Sequence, residues 1–229
     1  MPGIVTVPDF PLFDGLAEGL MISVCWAAKG GSGTTVVAAA MTIAAAAPTL
    51  LVDLAGDVPA VLGIPEPDGP GVFGWLASDA PASRLAALEM RADGHAAVLP
   101  CGRIAAVSPE RWRELASWLR GERRNIVVDA GSAGAPPPAI VGAADNALLV
   151  TRPCYLAIRA AARSSARPTG VVLIDEPGRA LRARDVEASV GAPVVATVLL
   201  DPAIARAVDA GLLLARLPLG FRHAVRLAA

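Results

Sequence analysis

Ala28-Lys29-Gly30-Gly31-Ser32-Gly33-Thr34-Thr35 is the stretch on which the reading of this chain turns. It joins a short apolar run, residues 22–28, to an Ala-rich stretch, residues 34–47, that Pro48 closes. The first has the length and uniform apolarity of a buried strand, the second those of a helix. Glycines at such a junction let the backbone curl until several N–H groups point at one anion, and the helix N-terminus adds a favourable partial charge. A plain strand-to-helix turn needs neither a lysine just before paired glycines nor Thr35, a hydroxyl placed to bind Mg²⁺. Lys29 is also the one lysine among 20 basic residues; the other 19 are arginine. That bias, with abundant Ala, Gly and Pro, is the composition of GC-rich coding, and a lysine kept against it is suggestive.

Outward from the loop the periodicities alternate. Residues 49–54 form a second apolar strand ending on Asp53. Residues 59–64 and 72–78 read as short helices joined by a Pro/Gly-rich loop, and 81–91 as another helix. A strand at 96–100 precedes an amphipathic helix at 110–120, with Trp112, Leu115, Trp118 and Leu119 on one side. A strand at 125–129, ending on Asp129, leads into a Gly/Pro loop and a helix to Asp145. Strands at 147–151, 171–174 and 193–200 are separated by helices at 156–167 and 184–190. Helices at 202–214 and 221–227 close the chain. Strands that are apolar throughout, each followed by a helix, predict a three-layer α/β/α fold around a mostly parallel sheet. Ligands of such sheets sit at the carboxyl ends of the strands, where the glycine loop, Asp53 and Asp129 collect.

A length of 229 residues suits one α/β domain spanning 1–229, with residues 1–20 as an N-terminal extension and 218–229 as a C-terminal helix. A hydrophobic share of 54% and a mean hydropathy of +0.53 raise the question of a membrane span. The longest uncharged stretch, residues 30–52, could cross a bilayer by length, but Gly-Gly-Ser-Gly at its start and Pro48 inside divide it into loop, helix and strand. Asp9, Asp14 and Glu18 with no basic n-region argue against a signal peptide, so the expected compartment is the cytoplasm. A net charge of −1 and a pI near 6.1 carry no nucleic-acid signal. Arg120, Arg123 and Arg124, and likewise Arg179, Arg182 and Arg184, are short charge runs that read as solvated faces. Cys25, Cys101 and Cys154 lack metal spacing and read as small residues of a reducing compartment; His95 and His223 are too scattered for a metal site or a triad. The closing helix has too small an apolar face for stable membrane binding by itself.

The loop resembles that of the ParA/MinD family of deviant P-loop ATPases, K-G-G-x-G-K-[ST]. Leu50-Leu51-Val52-Asp53 is similar to the family's second-strand motif, His95-Ala96-Ala97-Val98-Leu99-Pro100-Cys101-Gly102 to its next strand, and Asn125-Ile126-Val127-Val128-Asp129 to its Walker B strand. Ala144-Asp145-Asn146-Ala147-Leu148-Leu149-Val150-Thr151-Arg152-Pro153, then Leu156-Ala157-Ile158-Arg159, resembles the strand and helix that follow. Gly191-Ala192-Pro193-Val194-Val195-Ala196-Thr197-Val198, then Asp201-Pro202 and Ala207-Val208-Asp209-Ala210-Gly211, resembles the closing strand and helix. These last two blocks are most similar to the CpaE/TadZ branch, which localises pilus and secretion machinery. The resemblance implies that Lys29, Gly30, Gly31, Ser32, Gly33, Thr34 and Thr35 cradle the phosphates of ATP or ADP. It implies that Thr35 and Asp129 hold Mg²⁺ and that Asp53 orders the site. It also implies a homodimer in which Lys29 reaches across to the second copy's phosphates.

Two departures bear on catalysis. The family's second loop lysine is Thr34 here, a full charge exchanged for a hydroxyl; losing a charge-assisted phosphate contact of ~1.5–3 kcal/mol weakens binding about ten- to a hundredfold. Phosphoryl transfer depends still more on such charge. The family's D-x-D reads Asp53-Leu54-Ala55, so its second acid is Ala55; Asp57 either substitutes from a shifted loop or caps the helix beginning near Pro59. The expectation is at most a weak ATPase. It acts either as a pseudo-ATPase that positions or scaffolds a cellular machine or as a slow Mg-ATPase dimer switch. A ligase of the same superfamily would need a substrate-site signature that the sequence lacks. Asp175-Glu176-Pro177 stands where the family often has an asparagine near adenine, and Leu199-Leu200 where it often has Ile-Pro, which leaves base selectivity open.

Overall fold

The computed structural model describes residues 20–226. Its strands are β1 (Ile22–Trp26), β2 (Thr49–Asp53), β3 (Met90–Arg91), β4 (Ala96–Leu99), β5 (Asn125–Asp129), β6 (Asn146–Thr151), β7 (Gly170–Asp175) and β8 (Val194–Leu199). They form one sheet in the order β3-β4-β2-β5-β1-β6-β7-β8. Every pairing is parallel except β3 with β4, where Met90 faces Val98 and Arg91 faces Ala97. The predicted three-layer α/β fold is thus the observed one.

Alternation along the strands divides the core in two. Val24, Trp26, Leu50, Val52, Ile126, Val128 and Leu149 point to one face, under α3 (Gly71–Leu76), α4 (Pro109–Gly121), α5 (Pro138–Val141), α6 (Tyr155–Ala162) and α7 (Ala183–Val190). Cys25, Leu51, Val127, Leu148 and Val150 point to the other, under α1 (Thr34–Ala44), α2 (Val58–Leu62), α8 (Pro202–Asp209), α9 (Leu213–Arg216) and α10 (Leu219–Arg226). Four of the eleven residues of α1 are alanines, and all its residues except Thr35 and Val36 are buried, so small side chains let it lie close against the sheet beside β1.

Several boundaries differ from expectation. Residues 81–91 are not one helix: Ala82–Leu88 is a 3-10 turn, and Met90–Arg91 leaves it to pair with β4. The helix expected at 202–214 breaks between α8 and α9 at Gly211, whose φ is +61°. There the backbone of α2's C-terminal Gly63 packs so tightly that a β-carbon on Gly63 would lie 1.7 Å from the Gly211 carbonyl oxygen. The helix expected to reach Arg167 ends at Ala162, and the one expected to run up to Asp145 covers only Pro138–Val141. The C-terminal helix expected over 218–229 is Leu219–Arg226; residues 227–229 and the N-terminal extension up to residue 19, with Asp9, Asp14 and Glu18, lie outside the described residues.

Residues 30–52 comprise the glycine loop, α1 and β2, and among the described residues no helix is long and apolar enough to cross a membrane. The apolar face of α10 is occupied by the protein itself: Phe221 and Val225 are buried in the core beside α1, and Arg226 Nε donates to the Ala44 carbonyl (2.7 Å). The arginine runs are partly neutralised. Arg124 pairs with Glu89 and Glu122, and Arg179 with Glu176.

Candidate phosphate-binding site

Three loops meet where β1, β2 and β5 end. Ala27 N–H donates to the Gly131 carbonyl (2.8 Å), Ala130 N–H to that of Cys25 (2.9 Å) and Leu54 N–H to that of Asp129 (2.9 Å). Two of these bonds fasten a loop to the end of a neighbouring strand and the first fastens loop to loop; β1 itself stops at Trp26 rather than running on to Ala28. Gly31 and Gly33 take φ values of +77° and +85°, a left-handed backbone that few other residues adopt without strain. A β-carbon at either would meet nothing within 4 Å, so the demand for glycine is conformational, not steric. Gly33 then opens α1, its carbonyl accepting from Val37 N–H (3.0 Å), while the Ser32 hydroxyl donates to the Lys29 carbonyl (2.9 Å). The loop is thus set by its own bonds at the N-terminus of an eleven-residue helix.

The loops surround a cleft of about 560 Å³ whose walls include Gly31 to Thr35, Ala55, Asp57 and Gly131 to Ala133. Thr34, in the place of the family's lysine, is buried in this wall, with Thr35 next to it. Lys29 stands exposed at the loop's outer end and is not part of the lining; among the described residues no ion pair or hydrogen bond engages its ammonium. That placement leaves it available to something outside the monomer.

Asp53 and Asp129 are both 0% exposed and occupy facing positions on β2 and β5. Their environments differ. Asp53 Oδ1 accepts from Ala55 N–H (2.9 Å) and Gly56 N–H (2.6 Å), and Oδ2 from Val58 N–H (3.3 Å), so its carboxylate ties down the turn after β2. Burial raises its pKa against the pull of these donors, and Asp57 raises it further. Asp129 Oδ1 accepts from Gly131 N–H (3.0 Å), whereas Oδ2 is buried with no hydrogen-bond partner among the described residues. Burial lifts the Asp129 carboxyl to about 6, opposed by the nearby Thr35 hydroxyl and Gly131 N–H and reinforced by Asp53 and Asp57.

A buried carboxylate oxygen without a partner is costly, and such an atom beside a threonine hydroxyl fits a hydrated Mg²⁺ bridging to a phosphate. Among the described residues no three acidic, His or Cys side chains are gathered closely enough to hold a metal by themselves. Thr35 and Asp129 would therefore share the ion with a phosphate.

Asp57 does not cap α2 through its side chain, contrary to one of the two readings of its role. Asp53 does that work by accepting from Val58 N–H. Asp57 is instead exposed at the cleft wall, its charge felt by both buried acids. Ala55 lines the cleft with nothing polar in its place, and its methyl would lie 3.0 Å from a β-carbon on Gly131. One hydroxyl of the wall escaped the sequence reading. Ser132 faces the glycine loop, with its hydroxyl 3.6 Å from where a Gly30 β-carbon would stand. It follows β5 by three residues in a loop whose course only the fold reveals.

A strand, a left-handed glycine turn and a helix at the switch of a doubly wound parallel sheet make the P-loop type of fold, and solved ParA and MinD structures share it. The chain superposes on the MinD septum site-determining protein from Pyrococcus horikoshii, a complex with Mg-ADP (TM-score 0.73, 20% identity, 92% of this chain and 95% of that one). It likewise matches a ParA family ATPase from Chlorobium tepidum (0.69, 17%, 90% and 96%) and a chain of the MinC:MinD cell division protein complex from Aquifex aeolicus (0.72, 19%, 90% and 94%). At such identities the likeness is one of fold. No family model and no curated protein matches the sequence.

Proposed function

We propose that this protein is a cytoplasmic ParA/MinD-like nucleotide-binding protein of the CpaE/TadZ kind. In this reading it works as a pseudo-ATPase, a homodimer that positions or scaffolds a cellular machine such as a pilus or secretion system. The observation that carries the reading is Thr34, buried in the wall of an otherwise intact glycine loop, with Ala55 where a second acid would stand. The backbone of Gly30 to Thr35 would hold the phosphates of ATP or ADP, and Thr35 and Asp129 the Mg²⁺ that neutralises them. The P. horikoshii MinD with Mg-ADP supports that assignment by its fold. What is missing is the charge that steadies the transferred phosphoryl group.

A second copy would meet the edge that carries the cleft. Ile104, Tyr155, Leu156, Leu199 and Leu200, five of the seven large apolar side chains left exposed among the described residues, end β8 or follow β4, β6 and β8 at this edge. Exposed apolar side chains gathered at one edge of a sheet mark an interface more than a solvated surface. Lys29, exposed at the same edge, would reach the other copy's phosphates.

The alternative is a slow Mg-ATPase dimer switch, favoured by the retained Lys29, Thr35 and Asp129. Calorimetric titration with MgATP, beside Thr34→Lys and a turnover assay, separates the two. The expected result is wild-type binding about ten- to a hundredfold weaker than that of Thr34→Lys, with no turnover above background. Wild-type hydrolysis that Asp129→Ala abolishes would overturn the pseudo-ATPase reading.

A further inference from the structure

We infer that this cleft takes up its phosphate ligand and its divalent cation only as one unit, each being excluded without the other. The inference rests on the nucleotide-binding reading above and concerns the charge balance of the same site. Among the described residues no lysine or arginine lines the cleft, since Thr34 occupies the usual lysine position and Lys29 stands outside the lining. Three carboxylates act on the space instead: Asp57 in the wall, and Asp53 and Asp129 beneath it. Two of these are wholly buried, and one oxygen of Asp129 has no partner. With the Ser32 hydroxyl given to the Lys29 carbonyl, the donors that the described lining leaves to a phosphate chain are backbone N–H groups and the Thr34, Thr35 and Ser132 hydroxyls. They are neutral, so a free polyphosphate meets net repulsion at short range, in surroundings that screen charge poorly.

The cation faces the converse problem. Among the described residues the carboxylates do not converge into a metal cage, and three of the four Asp53 and Asp129 oxygens are already committed to backbone N–H donors. A small divalent ion that gives up water reluctantly needs phosphate oxygens to complete its shell. Each ligand supplies what the other lacks, and by linkage each must strengthen the other by the same factor. In a P-loop that keeps its second lysine, a fixed positive charge does part of the work assigned here to the ion.

The test is calorimetric titration of the full chain with ADP in EDTA, with Mg²⁺ alone, and with ADP in excess Mg²⁺, repeated for Thr34→Lys and Asp57→Asn. The expected pattern is binding of MgADP, metal-free ADP at least about a hundredfold weaker, and no saturable binding of Mg²⁺ alone. Thr34→Lys should bring the two ADP affinities within about tenfold of each other. Asp57→Asn, an exposed loop change that leaves the core untouched, should strengthen metal-free ADP binding. Metal-free ADP binding within tenfold of MgADP in the wild type, or saturable Mg²⁺ binding without nucleotide, overturns the inference and leaves the nucleotide-site reading standing. Failure of MgADP and MgATP to bind at all, with folding verified by circular dichroism, overturns that reading and the inference with it.

Discussion

Asp53 and Asp129 face each other across two parallel strands, equally buried, yet one carboxylate is bound by three backbone donors and the other keeps an oxygen with none. The first is built into the fold, the second held ready for a ligand. Different experiments should tell them apart.

Asp129→Asn should stabilise the nucleotide-free protein at neutral pH. The folded carboxyl holds its proton up to about pH 6, against an ordinary 3.8, so the folded state binds more protons than the unfolded one between those values. Stability therefore falls as pH rises through that window, and above it the penalty is complete. Removing the charge should recover about 1–3 kcal/mol at pH 7 and little near pH 4, read as urea midpoints at the two pH values. Equal midpoints for variant and wild type at pH 7 would contradict the ligand-ready assignment.

Asp53→Ala should do the reverse. It strands the amides of Ala55, Gly56 and Val58 beneath the turn, at a cost of about 2–4 kcal/mol. Thermal denaturation without nucleotide measures it, and an unchanged midpoint would show that the turn holds without its carboxylate.

Gly63→Ala should be among the most damaging small substitutions in the chain. The added methyl meets the Gly211 carbonyl oxygen at 1.7 Å, and that backbone can yield only if α2 and α8 part. A loss above about 3 kcal/mol is expected. Gly178→Ala is the control: φ there is +85° but the space is open, so about 1–2 kcal/mol of backbone strain is all that applies.

Phe221→Ala in α10 should cost about 3 kcal/mol because the ring is buried in the core beside α1. The wild type should not co-sediment with anionic vesicles, since the face a membrane would take is already occupied. Sedimentation lost on deleting residues after Pro218 would reverse that view.

The sheet was legible because its strands are uniformly apolar: residues 125–129 read as a strand and β5 is Asn125–Asp129. What local pattern could not supply was contact with distant chain. Met90–Arg91 became a strand because β4 offered it an antiparallel edge, although the preceding residues have helical composition. The break after α8 follows from Gly211 meeting Gly63, far back in the sequence. In the site, the glycine loop, Thr35, Asp53 and Asp129 could be picked out from spacing and resemblance. Ser132 could not, since nothing in Ala130-Gly131-Ser132-Ala133 shows that its hydroxyl turns toward Gly30. The division of labour between Asp53 and Asp57 was equally hidden, because by sequence position Asp57 alone stands where a cap of α2 belongs.

The bonds that fasten the three loops have a consequence for amide exchange. Loop N–H groups at the lip of an open cleft ordinarily trade their protons with solvent quickly, because opening them disturbs nothing else. Here Ala130 and Leu54 donate to the strand carbonyls of Cys25 and Asp129, and Ala27 to the loop carbonyl of Gly131, so none can be released without loosening another strand end. In deuterated buffer these three amides should exchange as slowly as the strands they follow, while the unbonded lip around Gly31 exchanges at once. The rim of the cleft thus belongs to the same cooperative unit as the sheet, and a ligand arriving there meets a mould already set.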